Sequence, residues 1–189
     1  MNKTLVIHPE DDTTDFLCPI YRGMRGKTVI RKNISRKELL ELADGHERVI
    51  MLGHGSPEGL FAANAFPDRR KGEFVVDKEL VRALRDKDNI YIWCHADQFV
   101  QRHKLTGFYT GMFISEMPEA LYYDLDVSQK SIDHSNKTFT RMVAGQVREH
   151  SSEIHRMVKK GYGLLQEVNP VIAFNCERLG CAVPNELHT

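Results

Sequence analysis

Short apolar runs alternate with longer amphipathic stretches along this chain. Lys3–Ile7 (KTLVI), Lys27–Arg31 (KTVIR), Arg48–Leu52 (RVIML) and Asn89–Trp93 (NIYIW) are brief and bounded by turn-forming or charged residues. Such runs predict buried strands. Gly111–Ser115 (GMFIS) predicts a fifth strand and Pro170–Phe174 (PVIAF) a sixth. Helical signals fall between them. Ser35 and Glu38 form a capping box that opens a helix to about Ala43, and Asp44-Gly45 stops it. A short helix starts near Thr14 and is disturbed near Pro19. Asp77 caps a helix carrying Leu80, Val81 and Leu84 on one face. A long helical stretch runs from about Lys137 to Gln166, weakened late by Gly161 and Gly163. Residues 57–73 read as a loop, with a small hairpin from Leu60 to Phe74.

Strands that alternate with helices pair in parallel through right-handed crossovers. The expected fold is α/β: a mostly parallel sheet of about six strands, with helices on both faces, in a single domain over residues 1–189. Functional residues of open α/β sheets gather at the carboxyl ends of the strands. That rule selects His8–Asp15, Gly53–Ser56, Cys94–Asp97 and Ser115–Glu119.

Composition narrows the partners. Lys+Arg and Asp+Glu each total 26, so the chain exerts no long-range pull on nucleic acid or anionic lipid. The contiguous Arg69, Arg70 and Lys71 read as a solvated loop. No apolar run approaches the ~20 residues that span a bilayer. The opening MNKTLVIH is too soon polar for a signal peptide, so a cytoplasmic location is expected. There Cys18, Cys94, Cys176 and Cys181 stay reduced. Their spacing contains no CxxC pair, and no helical His pair stands at the strand ends, so neither metal nor cofactor is expected.

His54 follows the third predicted strand and Cys94 the fourth. Neighbouring parallel strands would bring both side chains out at one edge. A cysteine nucleophile needs such a neighbour, because an imidazole can take the thiol proton and later return one to the leaving group. Gly53 permits a sharp turn off the strand. Gly55 lets its N–H approach a substrate carbonyl, and with the Cys94 N–H it would form an oxyanion hole. His95 is a rival base, but adjacent residues on extended chain point to opposite faces.

The two motifs, Val49-Ile-Met-Leu-Gly-His54-Gly55 and Ile90-Tyr-Ile-Trp-Cys94-His95-Ala96, resemble the signature of the caspase-like clan (clan CD) of cysteine peptidases. That group includes caspases, metacaspases, gingipains, clostripain and legumain. Strand order and the interval between the motifs extend the resemblance over roughly residues 3–115. It implies a caspase-haemoglobinase-like three-layer sandwich. It also implies a cysteine endopeptidase acting on protein or peptide substrates, with Cys94 as nucleophile, His54 as general base and acid, and Gly55 as oxyanion donor.

In that family the specificity pocket takes a charged residue just after the first strand, which points to Asp12 and Asp15 as substrate-binding candidates. A carboxylate there would bind Arg or Lys through charge-assisted hydrogen bonds. The same acids could instead cap the following helix. One position departs from the metacaspase pattern: Ile92 stands where basic specificity often carries Asp, two residues before the nucleophile. Ser115 and Glu116, with Glu119, are alternative pocket residues. Asp97 reads as the cap of the helix after Cys94, and residues 116–136 as a lid or processing loop. Three other readings remain open: a catalytically silent caspase-like interaction module, a flavodoxin- or Rossmann-like nucleotide binder, and a metal hydrolase. No G-x-G-x-x-G follows the first strand and no G-x-S-x-G elbow occurs, so nucleotide binding and serine chemistry lack their motifs.

Overall fold

The computed structural model describes residues 3–63 and 74–184. The basic run at residues 69–71 lies outside them. Strand β1 (Thr4–Ile7) leads through a 3-10 turn (Asp12–Leu17) into α1 (Pro19–Arg22), followed by β2 (Lys27–Ile30), α2 (Arg36–Asp44) and β3 (Arg48–Leu52). Three short strands come next: β4 (Gly55–Ser56), β5 (Gly59–Phe61) and β6 (Phe74–Val76). Then α3 (Val81–Leu84), β7 (Asn89–Ile92), α4 (Ala96–His103), β8 (Gly107–Thr110) and α5 (Met117–Tyr122). The chain closes with α6 (Gln129–Gln146), α7 (Ser151–Gly163), α8 (Pro170–Glu177) and β9 (Leu179–Ala182).

The main sheet has six strands in the order β2-β1-β3-β7-β8-β9. All neighbours pair in parallel except β8 and β9. Side chains alternate between its faces, as the pleat requires. Leu5, Ile7, Val49, Met51, Tyr91 and Trp93 face a core closed by α2, α3 and α4. Val6, Ile50, Leu52, Ile90, Ile92 and Phe108 face a second core closed by α1, α6, α7 and α8. Burial on both sides explains why these strands read as continuous apolar runs. The small sheet β4-β5-β6 is antiparallel and buries Leu60 and Val76 in the first core.

Two predicted strands are displaced. The fifth is Gly107–Thr110, not Gly111–Ser115, which follows it as irregular chain. Pro170–Phe174 is not a strand but the first part of α8. Asn169 caps that helix, accepting from the N–H groups of Val171 and Ile172, and Pro170 fits its first turn. A five-residue apolar run suits either state, and the Asn-Pro start decided this one. The sixth strand is Leu179–Ala182, antiparallel at the sheet edge. The single long helix is two, α6 and α7, capped by Ser128 and His150. Asp77 caps a turn that leads to α3, rather than the helix itself.

The irregular chain after β8 is held by fixed polar contacts. Asn175 on α8 accepts from the Ile114 N–H at 2.7 Å and donates to the Ile114 carbonyl at 2.9 Å. Asn136 on α6 donates to the Ser115 carbonyl. Asn175 is fully buried, so its removal strands two backbone groups away from water. Asn175→Ala should lower unfolding free energy by about 2–4 kcal/mol in urea titration. A loss below ~1 kcal/mol would show that Ile114 finds other partners.

Candidate functional site

Parallel pairing of β3 with β7 places Leu52 opposite Ile92. The ladder continues one step further, with the Gly53 N–H donating to the Ile92 carbonyl. Two residues beyond the Leu52–Ile92 pair, on each strand, stand His54 and Cys94. Both line one small cavity, together with Thr14, Phe16, Phe113 and Ser115. The cavity holds about 20 Å³, room for roughly one water molecule. Much larger hollows of about 630 and 650 Å³ lie elsewhere, one beside Arg85–Asp88 and His150, one between Phe16 and α6.

Gly53 has φ +143°, the turn off the strand that only glycine makes without strain. Gly55 is required for a different reason. A Cβ there would lie 2.2 Å from Trp93 Cδ1 and 2.6 Å from the Gly59 carbonyl oxygen. Close packing of β4 against Trp93 therefore accounts for this glycine, whatever its N–H does.

His54 is partly buried. Its Nε2 lies 2.6 Å from Thr13 Oγ1, and Thr13 Oγ1 donates to Asp11 Oδ1 at 2.7 Å. Burial lowers the His54 pKa, while the charges of Asp11 and Glu116 push it back up. The ring is therefore neutral at pH 7, the state in which it can accept a proton. The single proton of the Cys94 thiol is shared between two acceptors, the Phe113 carbonyl at 3.6 Å and Glu119 Oε1 at 3.8 Å from the sulfur. Burial, and then the negative Glu119 beside it, push its pKa up to about 12. The resting pair is thus a neutral thiol and a neutral imidazole, not a thiolate–imidazolium ion pair.

Glu119 organises this wall. Its Oε2 accepts from the N–H groups of Ser115 and Glu116 and from the Ser115 hydroxyl. These bonds favour its charged form, while burial raises its pKa more strongly. Ser115 thus lines the cavity with its donors already engaged. Glu116 is half-buried, coupled to His54 and hydrogen-bonded through Thr13, and burial raises its pKa.

The acids after β1 divide differently from expectation. Asp15 pairs with Arg31 at 2.6 Å, which lowers its pKa and neutralises its charge locally. Asp12 is exposed in the first turn of the 3-10 segment. Asp11 is the cap, accepting from the Thr13 N–H, and Asp11 with Thr13 makes the link to His54. An Asx cap spaced two residues before a threonine is a sequence signal that could have pointed here. His95 takes a left-handed conformation (φ +67°) as N-cap residue of α4 and lines another hollow with Asp97 and Arg178, away from the His54–Cys94 cavity. Asp97 is in the first turn of α4 rather than at the cap, and its Oδ1 is buried without a hydrogen-bond partner among the described residues. No group of three or more metal-ligating side chains occurs among the described residues. No helix among them is long and apolar enough to cross a membrane.

The raised thiol pKa has a direct consequence. At pH 8, iodoacetamide should modify Cys94 in the folded protein about a hundredfold or more slowly than an ordinary exposed thiol. The rate should keep rising well above pH 9, and Glu119→Gln should speed it at pH 8, because the carboxylate opposes ionisation of the thiol. Peptide mapping by mass spectrometry reads the site, and rapid labelling of Cys94 at neutral pH would contradict the assignment.

Comparison with protein-family models, curated proteins and solved structures finds nothing that matches this chain.

Proposed function

We propose that this protein is a cysteine endopeptidase of the caspase-like kind, held in a latent state. The observation that carries this reading is the shared cavity of His54 and Cys94 at the carboxyl ends of two adjacent parallel strands. The helix-covered, mostly parallel sheet is compatible with the three-layer sandwich that the two motifs imply. In the proposed reaction His54 takes the Cys94 proton as the sulfur attacks the scissile carbonyl carbon. Negative charge moves to the carbonyl oxygen, where the N–H groups of Gly55 and Cys94 stabilise it. The C–N bond then breaks, and the imidazolium gives its proton to the departing amine. Water, deprotonated by His54, hydrolyses the thioester and restores the thiol.

Latency follows from two features of the same site. A cavity the size of one water admits no substrate side chain. The thiol proton is directed to Glu119 and Phe113. Productive binding requires the wall carrying Phe113, Ser115 and Glu119 to move outward. The same two features favour a second reading, a catalytically silent module of this fold that docks a protein partner. Turnover separates the two.

A peptide-library cleavage screen tests the proposal. The wild type should cut a defined subset of peptides, and Cys94→Ala and His54→Ala should each reduce the rate by about a thousandfold or more at unchanged stability. Full activity in either variant rejects the mechanism. Absence of cleavage by the wild type, with and without cellular extract as a source of activator, favours the silent module.

A further inference from the structure

We infer that Thr13 and Asp11 are positioning residues that set the tautomer and orientation of the His54 imidazole. The inference deepens the peptidase reading, but its geometry stands apart from it. The argument is a proton count along three atoms. Asp11 Oδ1, as part of a carboxylate, only accepts. It receives the Thr13 N–H at 2.9 Å and the Thr13 hydroxyl at 2.7 Å. A hydroxyl has a single proton. With that proton committed to Asp11, Thr13 Oγ1 meets His54 Nε2, 2.6 Å away, with a lone pair. His54 Nε2 is therefore the donor, and the neutral ring carries its lone pair on Nδ1.

The second carboxylate nearby leads to the same assignment. Glu116 is the other acid close enough to the Thr13 hydroxyl to compete for that proton. Whichever acid holds the hydroxyl proton, that proton is not offered to His54 Nε2. Thr13 itself is held by the 3-10 turn that Asp11 caps, so the turn and the ring orientation are one construction. When the ring becomes an imidazolium, Nε2–H continues to donate to Thr13, and the negative Asp11 behind it favours the charge. Asp11 and Glu116 act on this ring, and Glu119, Glu116 and Tyr123 act on the Cys94 sulfur in the same cavity. Of these, Asp11 and Glu116 favour a charged His54.

Ring ¹⁵N NMR of the full chain with labelled histidine tests this, with His54 assigned by its absence in His54→Ala. At pH 8 the wild type should show His54 in the Nε2–H form. Thr13→Val, which keeps shape and removes the hydroxyl, should give a mixture of tautomers, and Thr13→Ser should restore the single form. Asp11→Asn should lower the His54 titration midpoint, because it removes a negative charge that favours the imidazolium. An Nδ1–H form in the wild type, or spectra of Thr13→Val identical to wild type at unchanged urea midpoint, overturns the inference. Where cleavage is measurable, Thr13→Val should lower kcat on the order of tenfold or more with KM little changed, and Asp11→Asn should move the acid limb of the pH–rate profile to lower pH. The spectra decide the relay whether or not the protein cuts peptides, so failure of the relay and failure of the peptidase reading stay distinct.

Discussion

The pairing of β3 with β7 is the constraint on which the site depends. Leu52 opposite Ile92 sets the register, and the strand period does the rest. A slip of one residue would turn Val49, Ile50, Met51 and Leu52 to the wrong cores and would separate His54 from Cys94. Both faces of these strands are fully buried, so such a slip exposes or misplaces apolar surface on two sides at once. The fold therefore guards the juxtaposition of the two side chains with the same energy that holds the sheet together. Asn89 adds a polar lock at the other end of the pair: its Oδ1 accepts from the Val49 N–H, and its Nδ2 donates to Leu84 and Tyr91.

The opposite wall of the cavity has a different physical basis. It is irregular chain, so its backbone groups have no ladder to satisfy them. Side chains take that role, two from distant helices (Asn175 on Ile114, Asn136 on Ser115) and one from the helix that follows directly (Glu119 on Ser115 and Glu116). A wall held by a few directed side-chain bonds has fewer interactions to break than the strand ladder, although each of them is costly to lose. On the proposed peptidase reading, this is the wall that moves to admit substrate. Glu119 joins the two roles, because the carboxylate that caps α5 also accepts from the Cys94 thiol.

Acidity dominates the surroundings of the pair. Asp11 and Glu116 lie on the imidazole side, and Glu119 on the sulfur side. Negative charge helps a protonated imidazole and hinders a thiolate, so the same set of acids prepares His54 and restrains Cys94. Arg31 is close enough to add positive charge to the region behind the cavity, but it is spent on Asp15 and on the Cys18 sulfur at 3.0 Å. Burial holds the adjacent His8 near a pKa of about 4, so it contributes no charge at neutral pH.

Much was legible in the residue order. Four apolar runs marked β1, β2, β3 and β7; β1, β3 and β7 are buried on both faces, whereas β2 stands at the sheet edge with Val29 exposed. His54 and Cys94 were legible as a pair because each ends such a run. Ser115 and Glu116 were placed near the site, although through a strand that is in fact loop. What the chain order alone left undecided involved long-range choices. Gly107–Thr110 rather than Gly111–Ser115 pairs with β7 because β9, some 70 residues later, completes the other side. Pro170–Phe174 suits either state in isolation, and its Asn169 cap and its place against α6 and α7 resolve it. Among the acids after β1, sequence offers near-equivalent carboxylates. Only the folded 3-10 turn distinguishes Asp11, linked through Thr13 to His54, from Asp15, drawn off by Arg31, since a hydrogen bond depends on where atoms meet and not on which residues are near in the chain.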